Sequence, residues 1–294
     1  MEFMWCILVT TCIGIGFKLF TRYEIHTFNA IVINYTVCLI LGSILNPTSD
    51  WPFSGTVIQS PWFKYDLLLG ILFISGFNLT AKSIQRAGIT LTTLIQRMSL
   101  ILTVSFTVIL FKEHFGILEM CGLIMALIAI IAINQRSEKL TFKFSGTFSL
   151  ILTAVLLFSA AIEILLYYVE KTRIVGQEQL AFTTHGFGVA AIVGWLVLGI
   201  NLTRGKLHLT FKDIVAGILL GVPNFFSIFL ILRMLNLGWN GSILYPMINI
   251  SVLLLSTFFA VLIFNERLNR LKWIGIGFAC ASILIIAYAH NLPH

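Results

Sequence analysis

Ten apolar runs, each close to the length that crosses a bilayer, alternate in this chain with short gaps rich in Gly, Pro, Asn and charge. A spanning helix needs about 20 apolar residues, and the runs fall at 3–20, 27–45, 66–84, 89–110, 117–134, 146–168, 179–200, 211–232, 241–262 and 272–289. Inside lipid every backbone amide must find its partner within the protein, which leaves helices or closed barrels. Barrel strands alternate apolar and polar residues, and these runs do not. The expected fold class is all-α: a polytopic membrane protein of ten transmembrane helices, with the lipid bilayer as its first partner. Composition agrees, with 58% hydrophobic and 11% charged residues, against about a quarter charged in soluble proteins. The first run lacks the basic start and small-residue cleavage site of a signal peptide, so it reads as the first helix. The longest gap, 46–65, holds Pro47, Pro52, Pro61, Trp51 and Trp62, and tryptophans belong at membrane interfaces. No gap is long enough for a soluble domain.

The net charge of +7 would suggest nucleic acid in a soluble protein, but no such module is visible and no nucleic-acid partner is expected. The basic residues sit between the runs, where they set orientation. Odd-numbered loops hold 13 Lys and Arg and even-numbered loops hold five, with Arg97 inside a helix. That bias places both termini outside. The five cysteines, Cys6, Cys12, Cys38, Cys121 and Cys280, all lie within apolar runs with no Cys-x-x-Cys, and read as small buried hydrophobes.

An internal repeat emerges on shifting the chain by 153 residues. Phe111-Lys112-Glu113-His114-Phe115 then meets Phe264-Asn265-Glu266-Arg267-Leu268, and nine of 28 positions between 106–133 and 259–286 are identical. Apolar sequences match by chance, so Glu113 with Glu266, Gly122 with Gly275 and Gly88 with Gly241 carry the weight. The halves, 1–136 and 144–294, each hold five helices. An odd count makes the second half enter the membrane from the opposite side. Such inverted repeats are a plan of many secondary transporters.

With these features the chain resembles the drug/metabolite transporter superfamily, in its ten-helix EamA-type branch. The resemblance rests on the two five-helix halves and on a Phe-x-Glu after each fourth helix, Phe111-Lys112-Glu113 and Phe264-Asn265-Glu266. Small residues follow in each last helix: Gly122, Ala126 and Ala129, then Gly275, Gly277, Ala279 and Ala281. Pro246 in the ninth helix fits the family pattern; Thr93 stands in its place in the first half. The resemblance implies two EamA-like repeats, varied small organic solutes as substrates and both termini inside, opposite to the charge count.

Polar residues inside membrane helices are costly and mark function by default. Thr92, Gln96, Ser99 and Thr103 follow steps of four, three and four, which aligns them on one stripe of the fourth helix. Ser242, Tyr245, Asn249 and Ser256 are spaced similarly on the ninth, and the shift pairs Gln96 with Asn249 and Thr103 with Ser256. Gln96, Arg97, Ser99, Thr103, Tyr245 and Asn249, with Asn34 and Asn224, are the candidate cavity residues; the alternative is interhelical glue. Arg97 lies about 12 Å into its helix at 1.5 Å per residue, too deep to snorkel. It must meet an acid such as Glu163, a carbonyl, water or an anionic substrate group. Glu163 and His185 are the candidate coupling residues, the former costly to ionise in lipid and the latter a proton carrier. Each has a structural alternative, as a snorkelling acid and a hydrogen-bonded core histidine. Glu113 and Glu266 precede the fifth and tenth helices, where an acid complements a helix start; gating or coupling is the alternative role. Gly122 and Gly275 permit close helix approach.

No nucleotide-binding loop is present, so active transport would draw on protons, another ion or a solute gradient. No His-x-x-x-His and no paired acids within the runs point to metal or enzyme chemistry, and no cofactor is expected. The reading is a secondary transporter of small organic metabolites in a bacterial-type cytoplasmic membrane, as monomer or homodimer. The alternative is a binding or assembly subunit that moves nothing.

Overall fold

A computed structural model of the chain describes residues 1–46, 55–87, 89–134, 146–176, 178–203, 208–264 and 268–290. Among these described residues, ten helices are long and apolar enough to cross a membrane. They are α1 (Glu2–Arg22), α2 (Thr27–Leu45), α3 (Phe63–Ala87), α4 (Ile89–Phe111), α5 (Ile117–Asn134), α6 (Gly146–Thr172), α7 (Gln179–Thr203), α8 (Phe211–Asn236), α9 (Gly241–Phe264) and α10 (Arg270–His290), with a short helix at Gly55–Ile58. Each expected run is a helix. Most extend past the expected ends, because a helix continues into polar flanks while backbone geometry permits and hydropathy marks only its apolar middle. Large apolar side chains such as Ile109, Leu196, Leu219 and Leu284 stay exposed, as lipid-facing positions require.

The helices group into two compact units, each drawing on both halves of the sequence. The first comprises 1–81 and 165–237, the second 82–164 and 238–294. In the first, α2 packs on α7 and α8, and α1 on α8. Asp213 ties two helix starts together. It forms a capping box with Thr210 at the start of α8, and its carboxylate accepts from the His26 amide and the Asn29 side chain, each at 2.9 Å, where α2 begins. One acid thereby serves orphan donors of two helices.

In the second unit α5 packs on α10 and α4 on α9. The α5–α10 contact is reciprocal. A Cβ on Gly122 would lie 2.5 Å from Ile286, and one on Gly275 would lie 2.8 Å from Ile133. Gly122 and Gly275 are 153 residues apart, as are Ile133 and Ile286. Ser282 adds a hydrogen bond from its hydroxyl to the Gly122 carbonyl at 2.6 Å. Here glycine is needed for approach: any side chain would hold the helices apart.

α9 begins on an acid from elsewhere. Glu113 accepts from the Gly241 and Ser242 amides, both at 2.8 Å, one on each carboxylate oxygen. The sequence reading expected Glu113 at the start of α5; these two bonds serve the start of α9. Lys112, with φ of 52°, closes α4 in the left-handed region and turns the chain so that Glu113 reaches across.

Candidate functional site

Within the second unit, α4, α6 and α9 bring a carboxylate, a guanidinium, two hydroxyls and an amide together inside the membrane-spanning region. The Glu163 carboxylate of α6 is the centre. The Thr103 hydroxyl of α4 donates to its Oε2 at 2.6 Å and the Ser99 hydroxyl to the same oxygen at 3.4 Å. The Tyr245 hydroxyl of α9 donates to the Glu163 backbone carbonyl at 3.0 Å. The Asn249 side chain and the Arg97 guanidinium also interact with the Glu163 carboxylate. Arg97 nonetheless makes no ion pair with Glu163 within 4 Å among the described residues; its Nη1 donates to the Asn249 carbonyl at 2.6 Å. Asn249 in turn donates from Nδ2 to the Tyr245 carbonyl at 3.1 Å.

The helical period explains the convergence. Ser99 and Thr103 are one turn apart on α4 and Tyr245 and Asn249 one turn apart on α9, so each pair stacks on one face. Ser99 and Thr103 are fully buried, and their hydroxyls point to an acid rather than to lipid. Thr92, on the same stripe, shares a hydrogen bond of 2.8 Å with Ser83. Gln96 is half-buried one position before Arg97. Pro246 sits within α9, so the Ser242 carbonyl, four residues back, lacks its helical donor.

Such a cluster can bind a polar solute. Glu163 offers a carboxyl group, Arg97 a cation, and Thr103, Ser99 and Asn249 offer neutral donors and acceptors. A charge pair not closed into a direct contact leaves both groups able to take an external partner. Among the described residues no group of three or more His, Cys, Asp or Glu side chains could hold a metal.

The remaining sequence candidates lie elsewhere. Asn34 and Asn224 meet through Cys38 in the first unit. The Cys38 thiol is 3.7 Å from Asn34 Oδ1 and 3.9 Å from Asn224 Nδ2, and donates to the Gly221 carbonyl at 3.2 Å. Those to Asn224 and Gly221 are polar contacts between α2 and α8. His185, also in the first unit, lies 2.7 Å from Asp66 through Nδ1 and Oδ2, with both side chains buried. Asp66 was not singled out from the sequence. It fell on the first position of an expected helix, near Lys64, and resembled an interfacial charge; α3 begins three residues earlier and carries it inward. Glu266 lies outside the described residues, as do Gly88, Trp51, Pro47, Pro52 and the loop cations Arg136, Lys139, Lys143, Arg204, Lys206 and Arg267.

Comparison with known proteins names the fold. The model of the EamA-like transporter family matches residues 1–135. Over these first five helices the chain is similar to the EamA-like transporter family. With ten membrane-length apolar helices, the chain agrees with membership of the drug/metabolite transporter superfamily, and the EamA-like family points to a multi-pass membrane transporter of small molecules. An uncharacterised protein of Haemophilus influenzae is 27% identical over 296 residues, covering 98% of both chains. A protein of known crystal structure aligns with a TM-score of 0.74 at 14% identity, over 99% of this chain and 95% of that one; this likeness concerns the fold alone.

Proposed function

We propose that the chain is a secondary transporter that moves small organic metabolites across a cytoplasmic membrane by alternating access. Its halves, 1–136 and 144–294, serve as inverted repeats in this reading. The reciprocal Gly122–Ile286 and Gly275–Ile133 contacts support the repeat, since both obey one shift of 153 residues. The single observation that carries the function is the Glu163 carboxylate, held inside the membrane-spanning region by Thr103, with Arg97 and Asn249 beside it. An acid kept there at a desolvation cost marks a solute or ion pathway. Glu163 anchors the solute, Thr103 and Ser99 orient the carboxylate, and Arg97 takes an anionic group or holds the α9 backbone when the site is empty.

The test is transport into proteoliposomes across a broad panel of labelled metabolites. Wild-type protein is expected to move at least one solute, and Glu163→Gln to slow that movement roughly tenfold or more, the scale of a lost charge-assisted hydrogen bond. Movement of no solute, in protein that remains folded, overturns the proposal in favour of a subunit that binds without transporting.

A further inference from the structure

The first unit contains a second buried acid that the solute site does not use. Asp66 of α3 and His185 of α7 lie 2.7 Å apart, with side chains 0% and 1% exposed. Phe63 and Trp62 pack on the imidazole at 5.1 and 5.9 Å between ring centroids. Trp62 is itself buried, and its indole N–H donates to Glu178 Oε2 at 3.0 Å. Glu178 is half-exposed beside the start of α7. Two aromatic rings thus pack on the pair at that end of the helices, and one of them, Trp62, is anchored to a partly exposed acid.

The Asp66 carboxylate is satisfied on one oxygen only: Oδ1 is buried without a hydrogen-bond partner among the described residues, lodged against Gly186, where any side chain would collide with it. A buried ionised carboxylate with a bare oxygen is costly, and a proton on that oxygen removes the charge. Other titratable groups on the surrounding elements include Glu178, reached through Trp62; Lys64 and Tyr65 of α3, with Tyr65 packed on Tyr168 of α6 and the Arg173 guanidinium near both rings; Glu170 of α6, bound to Gln179 at 3.0 Å; and Tyr35 of α2, stacked on Phe187. From α8 the neighbouring stack receives Phe225.

We infer that Asp66 and His185 form a proton-binding pair that couples proton movement to solute transport, with Trp62 as its cover. This rests on the transport reading. In one state the pair shares a proton under Trp62; in the other, displacement of Trp62 from Glu178 opens it to water and the proton leaves.

The chain has only three aspartates, Asp50, Asp66 and Asp213, so carboxyl-labelled aspartate makes the pair visible by infrared difference spectroscopy without any solute. In full-length protein in lipid, one labelled carboxyl band is expected to convert between protonated and ionised forms between roughly pH 5 and 8, the range in which His changes charge. Asp66→Asn should delete that band and His185→Gln should displace its midpoint. A wild-type Asp66 band fixed in one form across that range overturns the proton site, whatever happens to transport and without reliance on a variant's folding. The second arm uses proteoliposomes loaded with a pH-sensitive dye. Solute addition should move protons in wild type. Asp66→Asn should abolish this proton movement while solute-for-solute exchange continues. Solute exchange with proton movement unaltered in Asp66→Asn removes the coupling role. Absence of any solute movement in wild type refutes the transport reading, and with it the coupling role, while leaving the infrared result to decide the proton site.

Discussion

At the scale of single residues, the proposed function rests on charged or hydrogen-bonding groups held inside the membrane by a partner on another helix. Thr103 donates to Glu163 over 2.6 Å, and Thr103→Val removes the shortest hydrogen bond given to that carboxylate, leaving the longer contact from Ser99 and the interactions of Asn249 and Arg97. A lost hydrogen bond to a charged group is worth about 1.5–3 kcal/mol, so solute affinity should fall by roughly ten- to a hundredfold in a binding or transport assay. Arg97→Lys keeps the charge but not the reach and fork of the guanidinium; it should impair transport more than it impairs thermal stability. The stripe Gln96, Ser99, Thr103 was legible in the sequence because it repeats with the helical period. Glu163 was legible only as an acid that Arg97 could meet; that Ser99 and Thr103 donate to it was not, because it lies 60 residues beyond Thr103 on a different helix. His185 was visible as an odd residue in an apolar run. Asp66 was hidden by its position, since an acid at the expected edge of a run looks solvated.

Helix starts are the elements' weak points, and acids from elsewhere cover two of them. Asp213 reaches from α8 to α2, and Glu113 reaches from the α4–α5 connection to α9. Removing the second by Glu113→Ala should cost about 1 kcal/mol or somewhat more, read as a lower unfolding midpoint, whereas Glu113→Gln should retain part of it through its remaining carbonyl. Sequence adjacency pointed Glu113 at α5; beside the left-handed turn at Lys112, which no propensity announces for lysine, its carboxylate also serves the start of α9. In the sequence repeat the Lys112 position is taken by Asn265, a residue more at ease with that geometry. Lys112→Asn should therefore be tolerated and Lys112→Val should destabilise. The α5–α10 seam gives a sharper test. Gly122→Leu must displace Ile286, and overpacking of this kind costs about 1–3 kcal/mol, so the variant should unfold at a lower temperature.

For the molecule as a whole, the number of helices and their approximate ends were legible because membrane spans are set by length and hydropathy. The grouping was not: the two compact units draw helices from both halves, and no local pattern announces which helices from distant parts of the chain will pack together. The 13-to-five bias in loop cations predicts both termini outside. A reporter fused at His294 that works only in the cytoplasm should then be silent, and activity would favour the opposite orientation implied by the family. The central claim, that α4 and α9 line a water-reached solute site, is tested most directly by single cysteines at Gln96 and Asn249 in a background with the five native cysteines replaced. Both should react with a membrane-impermeant thiol reagent, and bound solute should slow the reaction. Folded protein whose cysteines at both positions never react, from either side of the membrane, would contradict the account.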